Sequence, residues 1–334
     1  MTSLVLVANA GDGTITSLRL HPGDDPRLET LTTTRVGDGC GTLAVDPENA
    51  LVYAATKEPS VVTLRVDRES GALTEIARTQ IEETLAYISL GRGGSIVLGA
   101  SYDGACAMTW PVADGVLGER VSRVEHANAH CVLPVGEHVY VVALGDDEIG
   151  QYRLGADGEL VALDPATASA PQGSGPRHLV VDGTNAYAVT EFSAEAIRYD
   201  VAGDGTLTRG EAVRIDDPAA GLGHSDIDAD PAKEHLRWGA EVRRVGPWLL
   251  CSERTASTIA TVRVGDDGHL GEVVAVTPTE KQPRAFGITP DGRHVVAVGE
   301  KSPHAALSRI EDDGSLTLLG RADVGQTARW VSFI

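Results

Sequence analysis

The sequence predicts an all-β protein, a seven-bladed β-propeller, and the strongest observation behind that prediction is a repeated turn. The tag Asp/Ser-Gly-x-Leu occurs six times, and a degenerate copy at residues 25–28 makes a seventh. The leucines that end successive tags are 43 to 47 residues apart, except for one step of 63. A period in the mid-forties with glycine turns and β-branched runs is typical of propellers, in which each repeat forms one four-stranded blade.

The second observation is the strand pattern inside each repeat. Residues 43–55 read as two apolar strands around the turn Asp46-Pro47-Glu48-Asn49. A third strand, the Gly-x-Leu turn and an outer strand then complete the repeat. The hairpin pattern returns at residues 87–100, 131–144, 178–190, 241–252 and 286–299. The step of 63 predicts an insertion near residues 215–238, within a single propeller domain that spans residues 1–334.

The chain ends predict how the ring closes. Residues 4–10 match the second strand of the pattern, and the missing first strand occurs at residues 330–334. We therefore expect the C-terminal strand to join the N-terminal blade, which leaves no open sheet edge.

The composition excludes some classes of binding partner and predicts the cellular compartment. The chain has 48 acidic and 28 basic residues and a net charge of −20, which argues against nucleic acid and anionic membranes as partners. It contains no apolar run of about 18 residues and no visible secretory signal, so a cytoplasmic location is predicted. The four cysteines are far apart and are expected to be reduced thiols. The oligomeric state is left open.

Charged residues recur where the blades are expected to meet at one mouth of the central channel. In an antiparallel hairpin, the start of the first strand and the end of the second lie at the same end. An arginine-rich cluster with carboxylates and histidines, in so acidic a protein, predicts an anion site with acid–base capacity. The residues at these positions are Asn9, Lys57, Tyr102, His130, Arg177, His178, Glu191, Glu241, Arg254, Arg284, Lys301 and Arg329.

Motifs for metals and cofactors are weak by comparison. His126 and His130 are four residues apart, but they lead into a strand, where that spacing defines no shared face. Residues 226–230 begin like a calcium loop, but Pro231 stands where that loop needs glycine. No strand–Gly-x-Gly-x-x-Gly–helix unit occurs either. We expect neither a metal nor a cofactor.

Several segments at the predicted mouth resemble the seven-bladed propeller lactonase family, which includes 6-phosphogluconolactonases and fungal carboxymuconate cyclases. The resemblance covers essentially the whole chain and is most specific beyond residue 170. Two departures are Asn128, where the family often has the first histidine of His-x-His, and the turn at residues 244–247. The matching segments are residues 175–178, 190–191, 237–241, 253–257, 279–286, 299–302 and 324–331.

The resemblance implies hydrolysis of a small anionic sugar lactone, 6-phospho-D-glucono-1,5-lactone of the pentose phosphate pathway, without a metal. The implied catalytic residues are His130, Arg177, Glu191 and Arg254, with either Glu191 or His130 as general base and the arginines at the oxyanion. The substrate-binding residues would be Tyr102, His178, Glu241, Arg284, Lys301 and Arg329, with Arg284 and Lys301 holding the phosphate.

Two other functions remain open at this point. The same residues could serve a cycloisomerase that closes or opens a lactone on a muconate-type dicarboxylate. A propeller could also be a non-catalytic binding module, although the aromatic content of 4% favours a small polar ligand.

Overall fold

The computed structural model describes residues 3–23 and 25–334, and it contains seven antiparallel sheets. The innermost strands of neighbouring sheets contact one another in a closed cycle, so the sheets are the blades of a propeller. The predicted all-β, seven-bladed fold is confirmed.

Apart from one strand of the first blade, the first three blades are formed by residues 3–125. The third blade has a divided outer strand, and both of its parts pair with β10. The strands are Ser3–Asn9 (β1), Thr14–His21 (β2), Arg27–Arg35 (β3), Thr42–Asp46 (β4), Leu51–Thr56 (β5), Ser60–Val66 (β6), Leu73–Gln80 (β7), Tyr87–Gly91 (β8), Ile96–Ser101 (β9), Cys106–Ala113 (β10), Val116–Leu117 (β11) and Ser122–Glu125 (β12).

The other four blades each consist of four consecutive strands. They are Ala129–Val135 (β13), His138–Ala143 (β14), Glu148–Leu154 (β15), Leu160–Ser169 (β16), Pro176–Asp182 (β17), Asn185–Thr190 (β18), Glu195–Val201 (β19), Leu207–Arg214 (β20), Gly239–Val245 (β21), Trp248–Glu253 (β22), Thr258–Val264 (β23), Leu270–Pro278 (β24), Ala285–Ile288 (β25), His294–Val298 (β26), His304–Ile310 (β27) and Leu316–Asp323 (β28). The last strand, Ala328–Phe333 (β29), returns to the first blade.

Closure of the ring depends on that last strand. β29 pairs with β1 in antiparallel register, with Val5 opposite Phe333 and Val7 opposite Val331. The C-terminal strand is therefore the innermost strand of the N-terminal blade, as the sequence predicts. This arrangement gives β1 a partner on both sides.

Burial differs between the inner and the outer strands. Every residue of β5 is buried, whereas β7 has only exposed and half-buried positions after its first residue. The inner strands pack on both faces against neighbouring blades, which explains why their sequences alternate only partly. The four cysteines are buried free thiols. Among the described residues, no helix is long and apolar enough to cross a membrane.

Residues 215–238 connect β20 to β21 and carry little regular structure. They contain the 3₁₀ turn Pro218–Ala220 and one helical turn, Pro231–Glu234 (α1), whose N-terminus is capped by Asp230. A bridge between Gly223 and Leu236 holds the segment together. Its acidic side chains act as local caps, since Asp226 accepts a hydrogen bond from the Asp228 backbone N–H.

Candidate active site

Irregular pairing at the start of two inner strands directs side chains into the channel. The register of β13 with β14 shifts between Ala129 and Cys131, which leaves His130 unpaired. The register of β17 with β18 shifts in the same way and leaves out Arg177. Such bulges turn a side chain away from the regular alternation and are common beside active sites. His130 and Arg177 are both almost fully buried at the channel mouth.

Glu191 lies at the centre of the cluster, directly after β18. Its Oε2 lies 2.9 Å from Arg177 Nε and 2.8 Å from Arg254 Nη2. Its Oε1 accepts a 3.0 Å hydrogen bond from the Trp238 indole. A Cβ on Gly239 would lie 2.1 Å from the Thr190 carbonyl oxygen, so only glycine lets these two segments approach this closely.

Trp238 also supports Arg254. The Arg254 guanidinium carbon lies 3.8 Å from the centre of the Trp238 ring, a cation–π distance. Arg254 further donates hydrogen bonds to the carbonyls of Trp238 and Gly239. Trp238 therefore positions both Glu191, a candidate catalytic carboxylate, and Arg254, a candidate catalytic cation.

A second chain of contacts runs behind Arg177. Its Nη1 donates to the Ala240 carbonyl at 2.6 Å and lies 3.2 Å from His178 Nε2. His178 Nδ1 lies 3.1 Å from Glu241 Oε1. Because arginine only donates, Nε2 of His178 accepts and Nδ1 donates to Glu241. Glu241 therefore orients His178.

His130 lies beside Arg284, His178 and Tyr102. Arg284 Nη2 lies 3.3 Å from His130 Nε2, and the His130 ring lies 5.1 Å from the His178 ring and 6.1 Å from the Tyr102 ring, between centroids. Glu300 lies beside Arg284, with Oε1 at 3.8 Å from its Nη1 and at 2.7 Å from Arg329 Nε. Arg284 and Arg329 thus share one carboxylate.

These side chains line two adjoining cavities. The larger is about 320 Å³ and is bordered by Tyr102, Asp103, His130, Glu191, Trp238, Arg254, Arg284 and Arg329. The smaller, about 70 Å³, is bordered by His130, Arg177, His178, Arg284, Arg329 and Trp330, among others. Four arginines line the two cavities against only two carboxylates, Asp103 and Glu191, so the site favours an anion. Larger grooves exist between the blades, but they lack such a cluster.

Burial and neighbouring charges shift the pKa values of the side chains in the site. Burial, followed by the surrounding arginines, lowers the pKa of His130 well below its usual value, so the ring is neutral at pH 7. Burial lowers the pKa of Arg177 to about 9, which leaves it charged. Burial opposes ionisation of Glu191, but Arg254, Arg177 and Arg284 outweigh it and lower the pKa. Glu191 is therefore a carboxylate and a weak base.

The structure brings together most of the residues that the sequence singles out. Tyr102, His130, Arg177, His178, Glu191, Arg254, Arg284 and Arg329 line the cavities, and Glu241 lies behind His178. Asn9, Lys57 and Lys301 border neither cavity, and Lys301 is exposed. Its neighbour Glu300 takes the inward position in the turn after β26, so Lys301 faces solvent.

Sequence reasoning missed two residues that the geometry makes prominent. Trp238 precedes an inner strand, as Arg284 does, and it belongs to the segment 237–241 already noted. Glu300 likewise lies directly before Lys301. Both could have been found by applying the strand-end criterion to every residue type rather than mainly to basic ones.

Fold and site together define a seven-bladed propeller with an arginine-rich, acid–base-equipped cavity at one end of its channel. The family described as "Lactonase, 7-bladed beta-propeller" matches residues 5–333, and the chain belongs to that family. The resemblance found in the sequence is thereby confirmed.

Individual relatives agree with this assignment. The 6-phosphogluconolactonase of Pectobacterium carotovorum is 30% identical over 323 residues, or 93% of each chain. That of Sodalis glossinidius is 32% identical over 307 residues, or 87% of each chain. The structure of the periplasmic gluconolactonase of Pseudomonas aeruginosa has a TM-score of 0.88 at 23% identity, covering 100% of this chain and 99% of that one.

Proposed function

We propose that the protein is a lactonase that hydrolyses an anionic sugar lactone, and that its substrate is 6-phospho-D-glucono-1,5-lactone. The observation that carries the proposal is the pair of adjoining cavities in which four arginines surround a neutral histidine. The relatives at 30% and 32% identity are 6-phosphogluconolactonases, which supports this substrate. The expected place in metabolism is the pentose phosphate pathway.

His130 is the general base in this proposal. Its Nε2 lone pair faces Arg284 Nη2 at 3.3 Å, and in this proposal the bound phosphate takes over Arg284 and frees that lone pair for a water molecule. Glu191 is less suitable because its carboxylate is paired with the guanidinium groups of Arg177 and Arg254 and accepts a hydrogen bond from Trp238. The arginines that lower the pKa of His130 would be neutralised by an anionic substrate, which would raise its basicity when substrate is bound.

Arg177 and Arg254 stabilise the oxyanion. Water attacks the lactone carbonyl carbon while His130 accepts its proton, and the carbonyl oxygen becomes negatively charged. The tetrahedral intermediate then collapses, the bond to the ring oxygen breaks, and His130 returns the proton to that oxygen. Glu191 and Trp238 hold the two guanidinium groups in place for this step.

The phosphate is held by Arg284 and Arg329 in this proposal. Both line the larger cavity and share Glu300, so neither charge is fully neutralised by a partner of its own. Lys301, the residue that the sequence pairs with Arg284, faces solvent and is replaced by Arg329 in this role.

The chemistry needs no metal or cofactor, because a lactone is reactive enough for a base and a cationic oxyanion site. A cytoplasmic location belongs to the same proposal and is supported by the four free thiols. The neighbour named as a periplasmic gluconolactonase makes cell fractionation the appropriate check.

The deciding experiment is acid release in a pH-stat on 6-phosphogluconolactone, gluconolactone and a muconate lactone. Rates are compared with spontaneous hydrolysis at the same pH. We expect the largest kcat/KM for the phosphorylated lactone. Turnover confined to the muconate lactone, with the unsaturated dicarboxylate rather than the hydroxy acid as product, would identify a cycloisomerase, and no turnover of any of the three would indicate a binding module.

A further inference from the structure

The crossover from the third to the fourth blade contains a histidine that the catalytic site does not use. His126 follows β12, the outer strand of the third blade, and its backbone N–H donates to the Ala105 carbonyl. The next residue, Ala127, is already attached to the fourth blade through Asp146 Oδ2 and Gly145. His126 therefore lies at the junction of two blades.

Two carboxylates of the fourth blade face this histidine. Nδ1 of His126 lies 3.4 Å from Glu148 Oε1 and 3.9 Å from Asp146 Oδ2. One ligand atom from each of the three residues lies within 4.8 Å of the other two. The carboxylates are partly exposed, at 38% for Asp146 and 28% for Glu148, so an ion and a water molecule could reach them.

The burial and the hydrogen bonding of His126 also indicate that it binds a ligand. Only 5% of His126 is exposed, and its Nδ1 has no hydrogen-bond partner among the described residues. Its other nitrogen, Nε2, lies 2.7 Å from the Tyr152 hydroxyl. A Cβ on Gly150 would lie 2.4 Å from Nε2, so the fold keeps a glycine where the ring packs. A buried ring is thus held with its unpaired nitrogen toward two carboxylates.

We propose that His126, Asp146 and Glu148 bind one divalent cation of the zinc class. Zinc bonds of about 2.0–2.1 Å place tetrahedral ligand atoms about 3.3 Å apart, close to the 3.4 and 3.9 Å separations here. One imidazole with two carboxylates suits Zn²⁺ better than Mg²⁺ or Ca²⁺, which prefer oxygen ligands throughout. The ion would connect the third blade to the fourth.

Tyr152 acts as the outer partner of the metal ligand. With Nε2–H donated to the Tyr152 oxygen, the lone pair of Nδ1 is directed to the cation. Outer partners of this kind fix the tautomer and the orientation of a ligating histidine, and their loss costs about 10–100-fold in metal affinity.

The test measures Zn²⁺ binding and thermal stability of the chelated, desalted full chain. We expect about one equivalent of Zn²⁺ by calorimetry and a rise in Tm that saturates at that stoichiometry. Glu148→Gln should weaken Zn²⁺ at least 10-fold, and Tyr152→Phe should weaken it about 10–100-fold. The control is Glu137→Gln, at a 71% exposed carboxylate of the same blade, which should bind Zn²⁺ like wild type.

Equal Zn²⁺ affinity in wild type, Glu148→Gln and Glu137→Gln would overturn the proposal, as would the absence of saturable binding. The inference does not depend on the proposed function, because none of its residues lines the catalytic cavities. Lactone hydrolysis by the chelated enzyme should keep the kcat of the zinc-loaded enzyme. A kcat that requires Zn²⁺ would contradict the metal-free mechanism and the separation of the two sites.

Discussion

The two ends of the propeller differ in how regularly their side-chain contacts repeat from blade to blade. At the end that carries the Gly-x-Leu tags, the same contact recurs: a side-chain hydroxyl of one blade donates to the tag glycine carbonyl of the next. The donors are Thr63, Thr109, Tyr140 and Tyr187, and their acceptors are Gly115, Gly158, Gly205 and Gly268. The tag aspartates repeat as well, since Asp157, Asp204, Asp267 and Asp313 each accept from the backbone two residues on.

At the channel mouth only the backbone repeats, since the N–H after the second strand donates to the carbonyl before the first strand in several blades, as from Leu144 to Asn128 and from Glu191 to Gly175. The side chains of the catalytic cluster differ from blade to blade. The fourth blade contributes His130, the fifth Arg177 and Glu191, and the sixth Trp238 and Arg254. The comparison teaches that the repeated residues join the blades, whereas the residues that differ between blades form the chemical site. It follows that substitutions at the mouth should change activity, and substitutions at the tag end should change stability.

The largest effect is expected at the base. His130→Asn keeps a polar side chain but removes proton transfer, so kcat should fall about 100-fold or more with little change in Tm. The same change at the tag end, His269→Asn, affects a 57% exposed side chain and should leave kcat unchanged. Pre-steady-state or pH-stat measurements of kcat for the two variants test this prediction. Near-normal turnover by His130→Asn on every hydrolysed lactone would remove His130 from the mechanism.

The pH profile tests the same residue. Burial and then the nearby arginines lower the pKa of His130, so protonation of the base requires a lower pH than for an ordinary histidine. We therefore expect kcat/KM to hold from pH 7.5 to about 6.5 and to fall only below that range. Because bound anionic substrate neutralises the arginines, the acid limb of kcat should lie at higher pH than that of kcat/KM. Coincident limbs would contradict this electrostatic coupling.

The variant Arg284→Ala tests substrate binding at the mouth separately from the chemical step. Loss of a charged contact to phosphate costs about 1.5–3 kcal/mol, so Arg284→Ala should raise KM about 10–100-fold for the phosphorylated lactone. The unphosphorylated lactone should lose much less. Arg309→Ala, at a 50% exposed position of the same blade, is the matched control. Equal losses on both substrates would show that Arg284 does not hold the phosphate.

Two tryptophans of the sixth blade give a direct pair of variants. Trp238 and Trp248 both stack on arginines, at 3.8 and 4.9 Å, but only Trp238 donates to Glu191 at the mouth. Trp238→Phe keeps a ring and removes that donor, worth about 1 kcal/mol, so kcat should fall about 5-fold. Trp248→Phe should leave kcat unaltered. Similar kcat values in the two variants would mean that the indole of Trp238 does not position the catalytic groups.

The sequence predicts the features that repeat in every blade better than the features that occur in a single blade. Tag spacing gives the seven blades, and the strand patterns of residues 4–10 and 330–334 give the closure, because both depend on local periodicity. The inward turns of His130 and Arg177 depend on bulges, which no local pattern specifies. The choice between Glu300 and Lys301 depends on which neighbour faces the channel, and that is set by packing.

The smallest effect tests the tag end, where stability rather than catalysis should respond. Tyr187→Phe removes a 2.7 Å hydrogen bond from a buried hydroxyl to the Gly268 carbonyl of the next blade. The expected cost is about 1 kcal/mol of unfolding free energy, measured as a lower urea midpoint, with kcat unchanged. Tyr140→Phe, which breaks the same contact one blade earlier, should cost a similar amount. Tyr53→Phe is the control, since in the second blade Thr63 rather than Tyr53 donates to the tag carbonyl of Gly115. If Tyr53→Phe destabilises as much as the other two, the tag carbonyls do not join the blades as described.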